Sequence, residues 1–245
     1  MTSDGPTRAG REEGVRMVTN RAEKTDLEAR TGLVARRRAD LLLGVVLVTN
    51  VLGLALGVLF PGTEETAFTL PVVAERQSTW LPFFAVLGTN LVVAVIAGAA
   101  AVLVLTTSRG GTWGTVGATI AVIGAGCYAV GIGTWVTLVH LTDPDLMSPA
   151  AAERFLAAFA ADIGRTYGVA MVGAIGVLLG TLAMAIGLGR ARTVPLWVPI
   201  LMSVAAIATF LVPTSGWGGL LVETPNAVAA IAVGVAAWRM VRGEG

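Results

Sequence analysis

Apolar residues run through this chain in long unbroken stretches, and the charges are kept apart from them. No charged residue occurs between Arg76 and Arg109, or between Arg109 and Asp143. The same holds from Arg165 to Arg190 and from Arg192 to Glu223. About 20 apolar residues, each rising about 1.5 Å along a helix, cross a hydrocarbon core of roughly 30 Å. The pattern predicts six membrane spans, near residues 41–60, 81–106, 116–141, 167–188, 194–213 and 218–241. Strands of a closed membrane barrel would alternate apolar and polar over about ten residues, which these runs exclude. The first run is too long for a signal-peptide core and has no small-residue cleavage site behind it, so it is expected to be a retained helix. The expected fold is an all-α membrane protein, a six-transmembrane-helix bundle over residues 41–242.

The polar segments fill in the rest. Residues 1–40 form an Arg-rich tail whose first 24 or so are expected to be disordered. Thr25 to Glu28 has capping-box spacing and predicts a short helix leading into the first span. The first outer loop, 61–79, is acidic at Glu64 and Glu65 and carries the apolar piece "FTLPVV". In the second, Ser148-Pro149 is a helix start with proline in the first turn. Phe155, Leu156, Phe159 and Ile163 then share a face, away from most of Glu153, Arg154, Asp162 and Arg165. This predicts a short amphipathic helix packed on its own bundle.

Composition agrees with a membrane protein: 55% of residues are hydrophobic, 13% charged, and mean hydropathy is +0.77, whereas soluble domains carry about 25% charged residues. The net charge of +1 conceals a strong asymmetry. Lysine and arginine gather in the tail, at Arg109, at Arg190 and Arg192, and at Arg239 and Arg242, leaving Arg76, Arg154 and Arg165 for the other side. Positive charge favours the cytoplasmic side, so both termini are expected there, in the plasma membrane. The run Arg36, Arg37 and Arg38 anchors this topology and could attract anionic lipid at about 1 kcal/mol per charge. Trp80, Trp135 and Trp217 near outer ends, and Trp113, Trp197 and Trp238 near inner ends, suggest aromatic belts at both interfaces. The lipid bilayer is the expected partner, and nucleic acid is not.

The chemistry that can be placed inside such a bundle is restricted. The only lysine, Lys24, lies outside the spans and cannot hold a retinal Schiff base within them. The only histidine, His140, cannot supply the histidine pair of a membrane haem cytochrome. Cys127 stands alone, so neither an intrachain disulfide nor a thiol relay is available. No P-loop, HExxH or GxSxG pattern occurs, and no cofactor or metal site is expected.

The polar intramembrane candidates are Asn50, Asn90, Glu223 and Asn226. Asn50 and Asn90 each follow a threonine ten residues into antiparallel spans, so they should meet near the midplane and bond to one another, as interhelical glue or as the lining of a polar path. In "LLVETPNAVAA", Thr-Pro is a good helix start, which puts Glu223 just before the last helix at the outer surface. The alternative begins that helix near Gly218 and buries Glu223 beside Asn226. At the outer end of the third span, His140, Asp143 and Asp145 could join Glu223 around a cation or in acid–base work, although Asp-Pro-Asp is also ordinary turn chemistry. Gly53/Gly57 and Gly176/Gly180 have GxxxG spacing, and Gly124, Gly126, Gly131 and Gly133 crowd the third span. These allow close helix contact within the chain, or a homo-oligomer.

The whole hydrophobic part resembles uncharacterised six-helix integral membrane proteins of GC-rich bacteria. The likeness lies in the Ala/Gly/Val/Leu-rich spans, in sixteen arginines against one lysine, and in the ending "VPLWVPILMSVAAIATFLVP", a Gly-rich turn and "LLVETPNAVAAIAVGVAAWRMVRG". It implies a multi-pass plasma-membrane protein and supplies no catalytic motif. The leading expectation is a non-enzymatic accessory or partner-binding protein. The alternatives are a small transporter or ligand-binding bundle around Asn50, Asn90 and Glu223, and a membrane enzyme using the outer His/Asp/Glu group.

Overall fold

The computed structural model describes residues 8–59, 69–107, 109–212 and 217–244. Among them it holds seven helices and no strand: α1 (Arg8–Leu59), α2 (Leu70–Leu105), α3 (Gly111–Leu141), α4 (Pro149–Ala161), α5 (Ile163–Ala191), α6 (Trp197–Leu211) and α7 (Trp217–Arg242). Five stretches are long and apolar enough to cross a membrane: Thr31–Leu59, Leu70–Leu105, Gly111–Leu141, Gly168–Ala191 and Gly218–Arg242. With 15 residues α6 is equally apolar but shorter. The protein is an all-helical, multi-pass membrane protein.

Two compact units are distinguished, Met1–Leu41 and Leu42–Gly245. In the first, residues 1–7 of the tail expected to be disordered lie outside the described residues, and from Arg8 the backbone is helical. Thr25 to Glu28 lies within α1 rather than at a helix start. No proline interrupts the chain between Pro6 and Pro61, and the alanine, glutamate and arginine of this stretch are good helix formers.

In the second unit, α3 and α5 form the most extensive helix pair. Their contact is a seam of glycines: Gly117 lies against Gly180 and Met184, Gly124 against Gly176 and Val177, and Gly131 against Ala170. Positions rise along α3 as they fall along α5, so the pair is antiparallel. A Cβ on Gly117 would lie 2.6 Å from the Met184 nitrogen, and one on Gly124 2.6 Å from the Val177 nitrogen. Only hydrogen at these positions lets the backbones approach so closely. The GxxxG pair Gly176/Gly180 is thus used within the chain, whereas Gly126 and Gly133 face open space.

Other helices pair in the same antiparallel sense. Gly88 of α2 lies against Ile132 of α3, and Thr106 against Gly114. Gly57 of α1 lies against Glu223 of α7, and Val46 against Gly234. Apolar packing gathers at the two ends. One cluster joins the C-terminal ends of α2, α5 and α7 to the starts of α3 and α6 through residues such as Val102, Leu105, Ala121, Leu188, Val198 and Ala237. The other joins the start of α2 to the end of α3 and to α4 through Val73, Trp80, Phe84, Trp135, Leu138 and Leu156.

Several expectations change here. α2 begins at Leu70, so the end of "FTLPVV" belongs to a helix, where the hydropathy pattern predicts loop as far as residue 79. Pro71 sits in its first turn, where a missing N–H costs nothing. Glu75, Arg76 and Gln77 interrupt the hydropathy without breaking the helix. Residues 60–68 of that loop, Glu64 and Glu65 included, lie outside the described residues. The outer aromatic belt is also corrected. Trp80 and Trp135 are only 3% and 7% exposed and belong to the core, whereas Trp113 and Trp197 at the other end are 43% and 49% exposed. Trp217's side chain lies outside the described set. The amphipathic helix forms as α4, with Pro149 in its first turn and Ala152 and Leu156 buried. Phe155 and Phe159 pack beside Leu156, Phe159 with its ring centroid 5.8 Å from that of Trp135.

Candidate functional site: a carboxylate in a glycine notch

α7 begins at Trp217 and carries Pro225 inside it, so Glu223 lies within the helix and not ahead of it. The Thr-Pro start at Thr224 is therefore overturned. Six residues of helix precede Glu223, about 9 Å at the usual rise. Proline withholds one N–H from the carbonyl four residues back, here Leu221, and membrane helices tolerate this because the freed group can be satisfied locally. Proline favours a helix start in water, but in hydrocarbon unravelling the turn before it would expose more backbone than Pro225 does.

Glu223 is half-buried and occupies the space left by a missing side chain on α1. A Cβ on Gly57 would lie 3.5 Å from Glu223 Cγ, so a methyl would already touch it and anything larger would displace it. The side chain of Asn226, three residues on along the same face, is hydrogen-bonded to the Glu223 carboxyl group. Tyr128 of α3 is close enough for the charge of Glu223 to act on its phenol. One turn along α1, Gly53 holds the same relation to Asn90, at 3.6 Å from Nδ2. Four residues of helix separate the two glycines, so the carboxylate and the amide lie about 6 Å apart along α1.

Asn90 bonds across the helix pair, but not to its expected partner. Its Nδ2 donates to the carbonyl oxygen of Thr49 at 3.1 Å. Asn50 instead donates to the carbonyl of Val46 on its own helix at 2.7 Å. The two amides reach the same level, as their spacing predicts, yet they do not pair. Asn90 Oδ1 is buried with no hydrogen-bond partner among the described residues. Replacing Asn90 by alanine should lower the stability of the detergent-solubilised protein by about 1 kcal/mol, the usual size of an interhelical bond in membranes. Asn50→Ala should change it by well under half as much. Thermal melting of the two variants side by side makes the comparison.

The outer-face candidates behave differently. His140 and Asp145 are exposed. Asp143 Oδ1 accepts the backbone N–H of Asp145 at 2.9 Å, an Asx turn. Its Oδ2 accepts from Gln77 Nε2 at 3.2 Å, and the same amide donates to the Val139 carbonyl at the end of α3, also at 3.2 Å. Asp143 thus fastens α2 to the end of α3. Among the described residues no three His, Cys, Asp or Glu side chains come together in a way that could hold a metal ion.

Two contributors carry little signal in the sequence. Tyr128 is a lone tyrosine in a glycine-rich span. Gly53/Gly57 looks like any packing motif until Asn90 and Glu223 are seen against it. No family model, no characterised protein and no solved structure matches the chain.

Proposed function

We propose that the protein is a small ligand-binding or transport bundle of six membrane spans, with both termini cytoplasmic, and that Glu223 is its ligand-contacting carboxylate. The observation that carries this reading is the position of Glu223 inside α7, against Gly57. Ionisable side chains within membrane helices are costly and mark functional sites far more often than they serve packing. The neighbouring groups suggest the ligand class. A carboxylate, a phenol ring and the unpartnered Asn90 oxygen one turn deeper offer acceptors and an aromatic face, which suits a small organic cation bearing N–H donors.

Helix directions support six crossings. α5 ends and α6 starts at the same apolar cluster, and α7 ends there too. α6 therefore carries the chain away from that end before α7 returns. Its 15 residues extend about 22 Å, and the flanking apolar residues from Val194 onward add to the crossing. The arginines Arg109, Arg190, Arg192, Arg239 and Arg242 all belong to that end, which makes it the cytoplasmic one. The likeness to six-helix proteins of GC-rich bacteria fits this reading in pattern. The accessory-protein reading has its own support in the glycine seam and the packed α4, which describe a bundle built to be stable.

The test is thermal stability in detergent against a panel of small ammonium and guanidinium compounds. A ligand present at about 100 times its Kd stabilises by about 2.7 kcal/mol. At least one compound should raise the melting temperature of the native protein and leave Glu223→Gln unmoved. If every compound affects both proteins alike, the carboxylate contacts no ligand and the accessory reading takes its place.

A further inference from the structure

A second site lies at the opposite end of the bundle from α4. Two turns, one between α2 and α3 and one between α5 and α6, close around an open cavity of about 510 Å³ lined by Arg109, Gly110, Gly189, Arg190 and Arg192. Three arginines, one from the turn before α3 and two from the end of α5 and the turn after it, thus line one space. All three residues are exposed, and no carboxylate among the described residues pairs with them. Unneutralised like charges repel when brought together, so their convergence asks for an anion.

The backbone is built to bring them there. Gly110 has φ 81, a left-handed conformation that glycine adopts freely. A Cβ on it would run into the Gly187 carbonyl of α5, so only glycine lets the two turns meet. Arg192 has φ 55, the only positive φ among the described non-glycine residues. That conformation is strained for an arginine, and it turns the chain at the end of α5. The start of α3 adds to the positive character of the cavity, since Gly110 caps it without any side-chain bond and the first N–H groups of a helix have no partner within it.

The geometry points to an anion site that binds a phosphate group through Arg109, Arg190 and Arg192. Planar guanidinium forks match phosphate oxygens in pairs. The favoured source is a lipid headgroup. Trp113, in the first turn of α3, and Trp197, in the first turn of α6, stand exposed at the same end, and exposed tryptophans sit at headgroup depth.

The experiment uses the full chain in neutral detergent, titrated separately with short-chain phosphatidic acid and with inorganic phosphate. Native mass spectrometry counts bound molecules, and tryptophan fluorescence follows affinity. The variant carries Arg109→Gln, Arg190→Gln and Arg192→Asn, the last because asparagine tolerates a positive φ. A control carries Arg8→Gln, Arg11→Gln and Arg16→Gln, removing the same charge elsewhere, and melting curves confirm that both fold.

Saturable binding of one phosphatidic acid should weaken roughly 100-fold or more in the variant, since three charge-assisted contacts are lost. The control should match the native protein. Competition by inorganic phosphate at millimolar levels would identify a free phosphate as the occupant, and its failure to compete identifies the headgroup. An equal loss in variant and control, or no saturable binding of either probe, overturns the site.

Discussion

A valine at position 124 should unfold the bundle, and a valine at position 126 should leave it intact. Gly124 and Gly126 both lie in the middle of α3, two residues apart, with the same local helix propensity to gain from a side chain. Their surroundings differ. A Cβ added at Gly124 would lie 2.6 Å from the Val177 nitrogen and 2.7 Å from the Gly176 carbonyl carbon. These are backbone atoms, so no rotamer change can clear them and α3 must move away from α5. At Gly126 nothing lies within 4 Å, and the new side chain would face outward. Inserting bulk into a packed interior costs about 1–3 kcal/mol where side chains can shift. Where two backbones must separate along a whole seam, about 3 kcal/mol or more is expected. The Gly124→Val protein should lose its cooperative melting transition in detergent and elute as aggregate. Gly126→Val should melt within a few degrees of the native protein. Similar behaviour of the two variants would mean that the seam does not hold the fold together.

The second large effect concerns the depth of Glu223. In a Cys127→Ala background the chain has no thiol, so Glu223→Cys becomes a unique reporter. Treated on intact cells with a membrane-impermeant thiol reagent, this cysteine should react roughly 100-fold more slowly than Asp145→Cys in the same background, because reaction requires an exposed thiolate. Asp145 is exposed in the turn after α3, which makes it the fast reference. Denaturant should bring the two rates together. Rapid labelling at 223 would mean that α7 starts at Thr224 in the membrane, and the proposed ligand carboxylate would become a surface group. Labelling at 145 also reports orientation, since an impermeant reagent reaches it only if that end faces outward.

Five long apolar helices were legible for a simple reason. Hydrocarbon offers backbone groups no water, so a crossing helix needs a long apolar run, and such runs survive in any context. The start at Ser148-Pro149 was legible too, because proline in a first turn is a local preference. Helix ends elsewhere were harder to read. Glu75 and Arg76 lower hydropathy without ending α2, since charge is compatible with a helix wherever the side chain can reach water. The same local rule that located α4 misplaced the start of α7. A proline suits a first turn when the preceding residues can uncoil into solvent, and here they are apolar and helical.

The candidate site was only half visible in the sequence. Asn50, Asn90, Glu223 and Asn226 stand out because polar groups are scarce in these runs. Which of them act together depends on neighbours far away in the chain. Asn90 faces the Thr49 carbonyl while Asn50 turns back on its own helix, and no spacing rule separates two identical Thr-Asn pairs. Gly57 and Tyr128 have no polar pattern of their own and gain meaning only from Glu223, which lies against the first and acts electrostatically on the second. The arginines at 109, 190 and 192 read as topology charges until two turns bring them to one cavity.

The sequence by itself determined that this chain lives in a membrane and roughly where its helices cross, because burial in lipid is decided residue by residue through transfer free energy. Tertiary structure alone decided which glycines touch, which polar groups pair, and that Glu223 sits in a notch rather than at a surface. Those outcomes depend on helix–helix contacts that are short in space and long in sequence, and no local pattern encodes them.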